Sequence, residues 1–340
     1  MSAVLGCDVG GANVKAARID APGQHPRIGE RPLALWKDPA RLPEVLLELA
    51  AELGPADRQA VTMTAELADC FATKREGVGF VLDAFRLAFP RVEPRVFGVD
   101  GRFRSPAEAR RRPLRVAAAN WMATATLLAE SVADALLVDV GSTTADVVPI
   151  VAGRVAARGR NDPARLRCGE LVYTGALRTP VCAAVRWLPW RGRRCRVAAE
   201  HFAVAADAHR WLGHIAEEDY TCDTPDGRGR SRPEAGARLA RMLCADLELL
   251  SEAEVGALAE AVFRAQVRQI AAGIRQVLRR LGAAAPRRAL LAGQGGFLGR
   301  PAAEAAGLAA EGLERRLGPQ AARAAPAAAV AWLLAREDEA

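Results

Sequence analysis

The sequence predicts an α/β protein built from two related halves, and three observations lead to that prediction. The chain has 340 residues, 51% hydrophobic and 26% charged, which is typical of a globular protein with a substantial core. Short apolar runs alternate with longer segments whose apolar residues recur at helical spacing. The opening unit also returns, because Asp8-Val9-Gly10 falls on Asp139-Val140-Gly141 at an offset of 131 residues. This repeat indicates two copies of one strand–turn–strand unit.

Strands and helices alternate through the first half. Ala3–Cys7 is an apolar strand, an Asp-Gly turn follows it, and Asn13–Ile19 forms the returning strand. Further strands are predicted at Arg31–Trp36, Ala60–Thr64 and Arg95–Val99. Helices are predicted at Arg41–Leu53, Lys74–Phe89 and Ala117–Ser131.

The second half opens on the repeated hairpin, with strands at Leu136–Asp139 and Ala145–Val151. A helix over Ala198–Leu212 and an apolar helical stripe that ends at Leu281 follow it. The remaining predicted elements are a strand at Ala289–Ala292 and a closing helix at Ala327–Arg336.

These elements predict a first domain over residues 1–133 and a second over residues 134–340. The second carries a helical insert over about 198–281 and a glycine-rich loop at 293–296. An alternative to these bounds is that the closing helix near 327–336 packs back on the first domain. No low-complexity linker separates the halves, so a cleft between packed domains is expected.

Charge and cysteine usage narrow the function classes. The formal net charge is +7, and only three of the 47 basic residues are lysines: Lys15, Lys37 and Lys74. No nucleic-acid-binding motif accompanies the arginine clusters, so we expect an anionic small substrate and neither nucleic acid nor membrane as partner. The seven cysteines lack Cys-x-x-Cys spacing, and the N-terminus has no signal-peptide pattern. A cytoplasmic protein with reduced thiols is therefore expected.

The first predicted turn combines groups that suit phosphate and a metal. Gly10 and Gly11 let backbone amides approach phosphate oxygens, because no side chain obstructs them. Asn13 adds polar capacity and Lys15 adds positive charge. Asp8, at the end of its strand, can hold hydrated Mg²⁺. A plain hairpin turn is the alternative, since Asp and Gly are ordinary turn residues.

Two later segments repeat this chemistry. The second turn offers Gly141, Ser142, Thr143 and Thr144 to phosphate, with Asp139 and Asp146 for a metal or a proton transfer. The third segment is Gly293, Gln294, Gly295 and Gly296 after an apolar strand, and it can admit a flat ring or a phosphate. Three such sites in this order are more specific than any one of them.

In type and order, the three segments resemble the nucleotide-binding loops of the actin, sugar kinase and Hsp70 ATPase superfamily. That resemblance covers nearly the whole chain and implies two ribonuclease-H-like domains around a cleft. Two longer motifs, Met63–Thr73 and Cys168–Val181, are similar to a hydantoinase-A-like family. Methanogen members of that family act in methanofuran synthesis, and methylotroph members are described as tetrahydromethanopterin-linked C1-transfer pathway proteins.

The family resemblance implies an Mg²⁺-dependent transferase. Its reaction joins an aminomethylfuran-methyl diphosphate to the phenol of γ-glutamyltyramine, forms an aryl ether and releases pyrophosphate. It implies Mg²⁺ on Asp8 and Asp139, with diphosphate at the two turns and positive charge from Lys15 and Arg178. Candidate bases for the phenol are Glu66, Asp69, Asp146 and Glu170, with Glu66 first because it closes a predicted strand.

Two other readings of the same fold stay open at the level of sequence. One is an ATP-dependent small-molecule kinase, and the other is a nucleotide-switched activator ATPase that acts on a protein. The phenolic acceptor, the binding of ATP and the oligomeric state are also left open. An apolar pocket for two flat rings is expected beside the motifs, lined by Phe71, Tyr173 and Phe297.

Overall fold

The repeated hairpin lies within each of two sheets in the computed structural model, which describes residues 2–21 and 24–337. In the first sheet, β1 (Val4–Val9) pairs antiparallel with β2 (Asn13–Ile19). In the second, β7 (Ala135–Val140) and β8 (Ala145–Val151) are neighbours. The bounds of β1 and β7 differ by the predicted 131 residues, so the internal repeat is confirmed.

The first sheet has the order β3-β2-β1-β4-β5-β6. Its remaining strands are β3 (Arg27–Pro32), β4 (Arg58–Met63), β5 (Arg95–Phe97) and β6 (Phe103–Arg104). β4 runs parallel to β1, and β2 and β3 run antiparallel to their neighbours. The predicted strand at Arg31–Trp36 is wrong, because the chain leaves the sheet at Leu33 to hydrogen-bond the first turn.

The second sheet has the order β10-β8-β7-β13-β14, and β9 pairs with β8 at its side. These strands are β9 (Arg154–Val155), β10 (Leu171–Val172), β13 (Arg288–Ala292) and β14 (Ala309–Gly312). A separate hairpin consists of β11 (Trp187–Trp190) and β12 (Arg193–Arg196).

Thirteen α-helices lie within the described ranges. The first seven are α1 (Leu42–Leu53), α2 (Lys74–Ala88), α3 (Pro106–Arg111), α4 (Asn120–Ala129), α5 (Asp162–Cys168), α6 (Val181–Ala184) and α7 (Ala205–Leu212). The others are α8 (Arg232–Arg241), α9 (Glu252–Leu281), α10 (Gly296–Ala305), α11 (Glu314–Leu317), α12 (Pro319–Arg323) and α13 (Ala325–Arg336). None of these helices is long and apolar enough to cross a membrane.

Two predicted helices begin later than their apolar pattern suggested. α4 begins at Asn120 because Ala118 has a φ of 50°, which no right-handed helix accommodates. α7 begins at Ala205 because the preceding residues are extended: Val204 bridges Pro180, and Ala203 accepts a backbone hydrogen bond from Val181. In both cases tertiary contacts override local helical spacing.

The chain divides into two compact units that interleave along the sequence. The first contains Met1–Leu137, Val148–Arg167 and Gly312–Ala340, and the second contains Val138–Val147 and Cys168–Glu311. In the first unit, β1 alternates its side chains, so that Leu5, Cys7 and Val9 join one core with α1 and α2. Helix α13 packs against β1, where a Cβ on Gly6 would lie 2.3 Å from the Ala327 carbonyl oxygen. The predicted domain bounds stay a prediction.

Candidate active site

The first turn is closed by a hydrogen bond from Gly10 N to Asn13 O at 3.0 Å. The carbonyl oxygens of Gly11 and Ala12 accept hydrogen bonds from Leu35 N at 3.0 Å and Leu33 N at 2.9 Å. The lone pairs of these carbonyls are thus engaged by the protein's own amides. This arrangement reduces the repulsion that free carbonyls would exert on an anion near the turn.

The side chains at the first turn contact other residues of the first unit. Asp8 is half-buried in β1 and pairs in register with Lys15. The Lys15 ammonium donates to the Arg323 carbonyl oxygen at 2.8 Å and lies 3.7 Å from Glu30. Part of the positive charge predicted for phosphate is therefore matched by protein groups. The phosphate role of Lys15 stays a prediction.

The second turn has the same closure and a more extensive support. Gly141 N donates to Thr144 O at 2.9 Å, the counterpart of the Gly10–Asn13 bond at the 131-residue offset. Gly141 O accepts from Ala176 N at 2.9 Å, while Ser142 O accepts from Leu177 N at 3.0 Å and Arg178 N at 2.9 Å. The segment 176–178 thus fixes the second turn through its backbone, and half-buried Arg178 is tied to the turn.

Gly175 lets that segment approach the second turn closely. A Cβ at Gly175 would lie 2.5 Å from Thr143 N, closer than real Cβ contacts. Behind it, the buried amide of Gln266 donates to Thr174 Oγ1 and to Gly175 O, each at 2.8 Å. Gln266 Oε1 lies 2.9 Å from His209 Nε2. This network, which we call the Gln266 clamp, holds segment 174–178 in place.

Sequence reasoning missed Gln266, although a signal was present. Val262, Gln266 and Ile270 recur every four residues on α9, and all three are buried. A polar amide in an apolar helical row must find hydrogen-bond partners, because an unsatisfied buried amide is costly. That rule alone would have marked Gln266 as part of a network.

The glycine-rich segment packs directly on the second turn. Gly293 has a φ of 78°, and a Cβ there would lie 2.4 Å from Asp139 Oδ1. Gly295 N donates to Val140 O at 2.9 Å. The second unit therefore brings together Asp139, the turn at 141–144 and the segment 293–296. Both glycines are required by close approach, and at Gly293 also by the left-handed backbone.

Two candidate bases of the second unit lie on neighbouring strands. Asp146, on β8, pairs in register with Leu171 of β10, and Val147 N donates to Glu170 O at 2.9 Å. The carboxylate of Glu170 is fully buried and lies 2.6 Å from Arg280 Nη1. Arg280 was not foreseen, because it is 110 residues away and follows another arginine on an ordinary helical face.

The third candidate base, Glu66, belongs to the first unit. It lies in a 3₁₀ turn, Ala65–Leu67, which follows β4. Between them, Thr64 N donates a hydrogen bond to Val9 O at 2.9 Å. Glu66 and the first turn are thus carried by adjacent parallel strands at the same end of one sheet. Candidate Asp69 follows in the next loop, outside this turn.

Glu66 is 1% exposed, and burial raises the pKa of its carboxyl above the ordinary value. Lys74 Nζ lies 3.3 Å from Glu66 Oε1 and 2.6 Å from Asp162 Oδ2. Burial alone would lower the pKa of Lys74, but Glu66 and Asp162 outweigh it and leave that pKa raised. The three groups, of which Glu66 is buried and the other two are half-buried, form a cluster at the N-terminus of α2, which we call the Lys74 cluster. In the sequence, the one feature that marked Lys74 was the rarity of lysine among the basic residues.

The three aromatic side chains expected around a flat-ring pocket have different surroundings. Phe71 packs on Phe80 at 5.1 Å between centroids, and Phe297 packs on His209 and His214 at 4.7 and 5.0 Å. Tyr173 is 65% exposed. Phe71 and Phe297 are therefore packing residues as well as motif neighbours, whereas Tyr173 offers an open aromatic face.

The carboxylates predicted for Mg²⁺ have suitable chemistry. Asp8 and Asp139 each present oxygen donors at the end of a strand, next to a glycine-containing turn. Mg²⁺ keeps several waters and takes only one or two protein carboxylates together with substrate phosphates. Residues 2–21 and 24–337 hold no group of three His, Cys, Asp or Glu side chains that would form an all-protein metal site. Each of these carboxylates, taken by itself, fits a metal that arrives with a phosphate ligand.

A family match and two relatives of the same name show which proteins this chain is similar to. Residues 57–337 match the hydantoinase/oxoprolinase family. The chain is similar to the (4-{4-[2-(γ-L-glutamylamino)ethyl]phenoxymethyl}furan-2-yl)methanamine synthase of Methanocaldococcus jannaschii. The two sequences are 42% identical over 253 aligned residues, and the alignment covers 74% of each chain. The protein of the same name from Methanococcus vannielii is 40% identical over 119 residues, 35% of this chain and 53% of the relative.

Solved structures share the fold at low sequence identity. Nucleotide-free acetone carboxylase superposes with a TM-score of 0.59 and 12% identity over 90% of this chain and 67% of its own. The ethanolamine utilization protein EutJ from Carboxydothermus hydrogenoformans superposes with a TM-score of 0.51 and 12% sequence identity, over 97% of this chain and 89% of its own. The predicted fold class, two ribonuclease-H-like domains of the actin-like ATPase and sugar kinase type, is confirmed.

Proposed function

The chain belongs to the hydantoinase/oxoprolinase family, and on that premise we propose that it is a transferase of methanofuran-type biosynthesis. It would join an aminomethylfuran-methyl diphosphate to the phenol of a γ-glutamyltyramine- or tyramine-type acceptor and release pyrophosphate. The observation that carries the proposal is 42% identity over 74% of both chains to a synthase whose named product is such a phenoxymethylfuran amine.

The proposed reaction exchanges one carbon–oxygen bond for another. The bond between the furfuryl carbon and the diphosphate oxygen breaks, and its electron pair leaves with pyrophosphate. The phenol oxygen forms the new bond to that carbon, and its proton passes to a protein carboxylate. The furan ring stabilises positive charge on the carbon while the diphosphate departs.

The two turns support the diphosphate part of the proposal. Each is a glycine-containing hairpin turn whose carbonyls are bonded elsewhere in the protein, so its amides suit phosphate oxygens. Diphosphate becomes a better leaving group as its charge is matched by hydrogen-bond donors and cations. Ser142, Thr143 and the Arg178 guanidinium would add donors at the second turn. Asp8 and Asp139 would hold Mg²⁺, which neutralises diphosphate charge when bound.

Glu66 is the proposed base. A phenol has an ordinary pKa of about 10 and needs an acceptor for its proton near neutral pH. Burial raises the pKa of Glu66, so its ionised form is a stronger base than an exposed carboxylate. Within residues 2–21 and 24–337, the geometry provides no hydrogen bond to either carboxylate oxygen of Glu66. A phenol hydroxyl would supply the hydrogen bond that this buried carboxylate lacks, beside the Lys74 ammonium, which lies 3.3 Å from Oε1.

The experiment incubates the purified protein with an aminomethylfurfuryl diphosphate, tyramine or γ-glutamyltyramine, and Mg²⁺, with a parallel reaction that contains ATP. We expect pyrophosphate and the aryl ether to appear in equal amounts, only with both organic substrates, and without ATP. Stoichiometric ADP and a phosphorylated product would instead establish a small-molecule kinase. ATP hydrolysis without either organic substrate would favour the activator ATPase.

A Glu66→Gln variant tests the base. The amide keeps the shape of the side chain and removes its proton affinity, so turnover should fall about a hundredfold while KM changes little. Asp69→Asn, in the next loop, is the matched control and should retain activity. The acid limb of the wild-type pH–rate profile should lie above the ordinary pKa of a carboxyl, because burial raises the pKa of Glu66.

A further inference from the structure

A cavity of about 810 Å³ lies in the first unit, and the glycine-containing turns are not among its lining residues. Its wall is formed by the N-terminal turn of α2, the end of α3 and the segments around residues 99–100 and 160. The cavity is lined by five arginines: Arg75, Arg111, Arg112, Arg115 and Arg160. None of these residues has a role in the proposed reaction.

The positive charge of this cavity is poorly matched. Its only acidic lining residue is Asp100, which is already engaged by Arg104 at 2.5 Å and Arg115 at 3.8 Å. Burial would raise the pKa of Asp100, but Arg104 outweighs it, so that pKa is lowered and the carboxylate stays charged. The Arg112 guanidinium has no ion-pair or hydrogen-bond partner in the described part of the chain.

Two of the guanidinium groups are held by backbone carbonyls instead of carboxylates. Arg160 Nη1 donates to Val99 O at 2.9 Å, and Arg75 Nη1 donates to Arg110 O at 3.3 Å. Such bonds orient a guanidinium without neutralising it. An oriented guanidinium presents a planar fork that binds carboxylate or phosphate through two parallel hydrogen bonds.

The lining also has an apolar part. Val99, Pro113 and Leu114 complete the wall, and the Leu114 side chain is 63% exposed. The volume lies within the range of about 300–1,000 Å³ found for pockets that hold small organic ligands. A single inorganic anion would leave most of this space and the apolar wall unused.

We propose that this arginine-lined cavity binds a small organic anion that carries about two or more negative charges, on carboxylate or phosphate groups attached to an apolar body. The proposal does not depend on the proposed reaction, since none of the turns or candidate bases lines the cavity. A nucleic acid is disfavoured because the arginines surround a pocket and do not form a stripe.

The test measures binding to the full-length protein by calorimetry with trimesate and by fluorescence with naphthyl phosphate. Inorganic pyrophosphate serves as an anion without an apolar body. We expect both organic probes to bind, and Arg112→Gln and Arg160→Gln to weaken each by about fivefold to tenfold. Arg86→Gln is the matched control, because Arg86 is exposed on α2 outside the cavity. Ser142→Ala removes a donor proposed for the second turn and should leave both affinities unchanged when the probes bind the cavity.

The relative affinity of the probes identifies the source of the anion. Tighter trimesate binding indicates a polycarboxylate ligand, and tighter naphthyl phosphate binding indicates a phosphorylated one. The proposal is overturned if neither probe binds or if Arg86→Gln weakens binding as much as Arg112→Gln. It is also overturned if pyrophosphate binds as tightly as the organic probes and Arg112→Gln weakens its binding to the same extent, because the apolar wall would then contribute nothing. Displacement by DNA oligonucleotides with affinity that rises with their length would also overturn it. Circular dichroism of each variant checks that the fold is retained.

Discussion

The two hairpin turns share a backbone design and differ in how closely their surroundings enclose them. Each is closed by an amide-to-carbonyl bond of 2.9–3.0 Å, and each has its carbonyls engaged by a following segment. A Cβ on Gly11 of the first turn would meet nothing within 4 Å. At the second turn, a Cβ on Gly175 or Gly293 would collide with Thr143 N or Asp139 Oδ1.

This difference shows that a repeated unit diverges through what packs against it. The first turn adjoins Thr64, whose Oγ1 would lie 3.7 Å from a Cβ on Gly10, and the neighbouring 3₁₀ turn carries Glu66. The second adjoins two glycine segments and is supported by the Gln266 clamp. A Cβ on Gly10 would lie 2.8 Å from Asn13 O, so we infer that only Gly11 of the first turn tolerates a side chain. The second turn depends on the close approach of the backbone at Gly175 and Gly293.

The largest expected effect tests whether the turns are chemically equivalent. Asp8→Asn and Asp139→Asn should each lower activity by about a hundredfold or more, because each removes a carboxylate proposed to hold Mg²⁺. Thermal unfolding should change little, since Asn has nearly the same shape as Asp. The measurement is steady-state pyrophosphate release across Mg²⁺ concentrations. If only one variant loses activity, the two turns do not share the metal chemistry.

The next effect tests how closely the turns are enclosed. Gly293→Ala should lower the free energy of unfolding by about 2–4 kcal/mol, from a strained backbone and a collision with Asp139. Gly11→Ala, the matched control, should change it by less than about 1 kcal/mol. Urea titration of both variants measures the difference. Equal destabilisation would show that the enclosure of the second turn has no energetic consequence.

A third effect isolates the clamp behind the second turn. Gln266→Leu should cost about 2 kcal/mol of unfolding free energy, because it removes the buried hydrogen bonds of Gln266 to Thr174, Gly175 and His209. It should also raise KM for the diphosphate more than it lowers kcat. Gln269→Leu, which loses one half-buried bond to Ala184, is the control. A variant whose KM is unchanged would reduce Gln266 to a purely structural residue.

The smallest effect, taken per pH unit, is a pH dependence of stability. Burial lowers the pKa of His209 to about 3, below its ordinary value of 6.5. The unfolded chain therefore takes up a proton at higher pH than the folded one, so stability is complete above pH 6.5 and falls as pH decreases toward 3. The slope should approach about 1.4 kcal/mol per pH unit, and His209→Gln should remove it.

The pH measurement compares wild type and His209→Gln at each pH, because buried Glu66 and Asp207 act in the opposite direction. Burial raises the pKa of both carboxyls, so their contribution is present at low pH and is lost as pH rises. The difference between the two proteins cancels these terms. Parallel stability curves below pH 6.5 would contradict a buried neutral His209.

The sequence by itself determined the repeated hairpin, the three glycine-containing segments and the class of fold. These features are local, because an apolar strand, a turn that needs glycine and a returning strand follow one another within about sixteen residues. The residue types at consecutive positions are therefore enough to predict them. Glu66, Asp139 and Gly293 were proposed as site residues for the same reason, each at the end of an apolar strand, and their roles stay predictions.

Only the tertiary structure decided which partner each of these groups has. Glu170 meets Arg280 across 110 residues, and Gln266 reaches Thr174 across 92. The cavity likewise combines arginines from α2, α3 and the segment around residue 160. Ion pairs and buried hydrogen bonds follow distance in space, and an arginine or glutamine has the same sequence signature on a solvated face as in a buried network. Burial and approach of backbones, which decide the chemistry of a charge, appear only once the chain is folded.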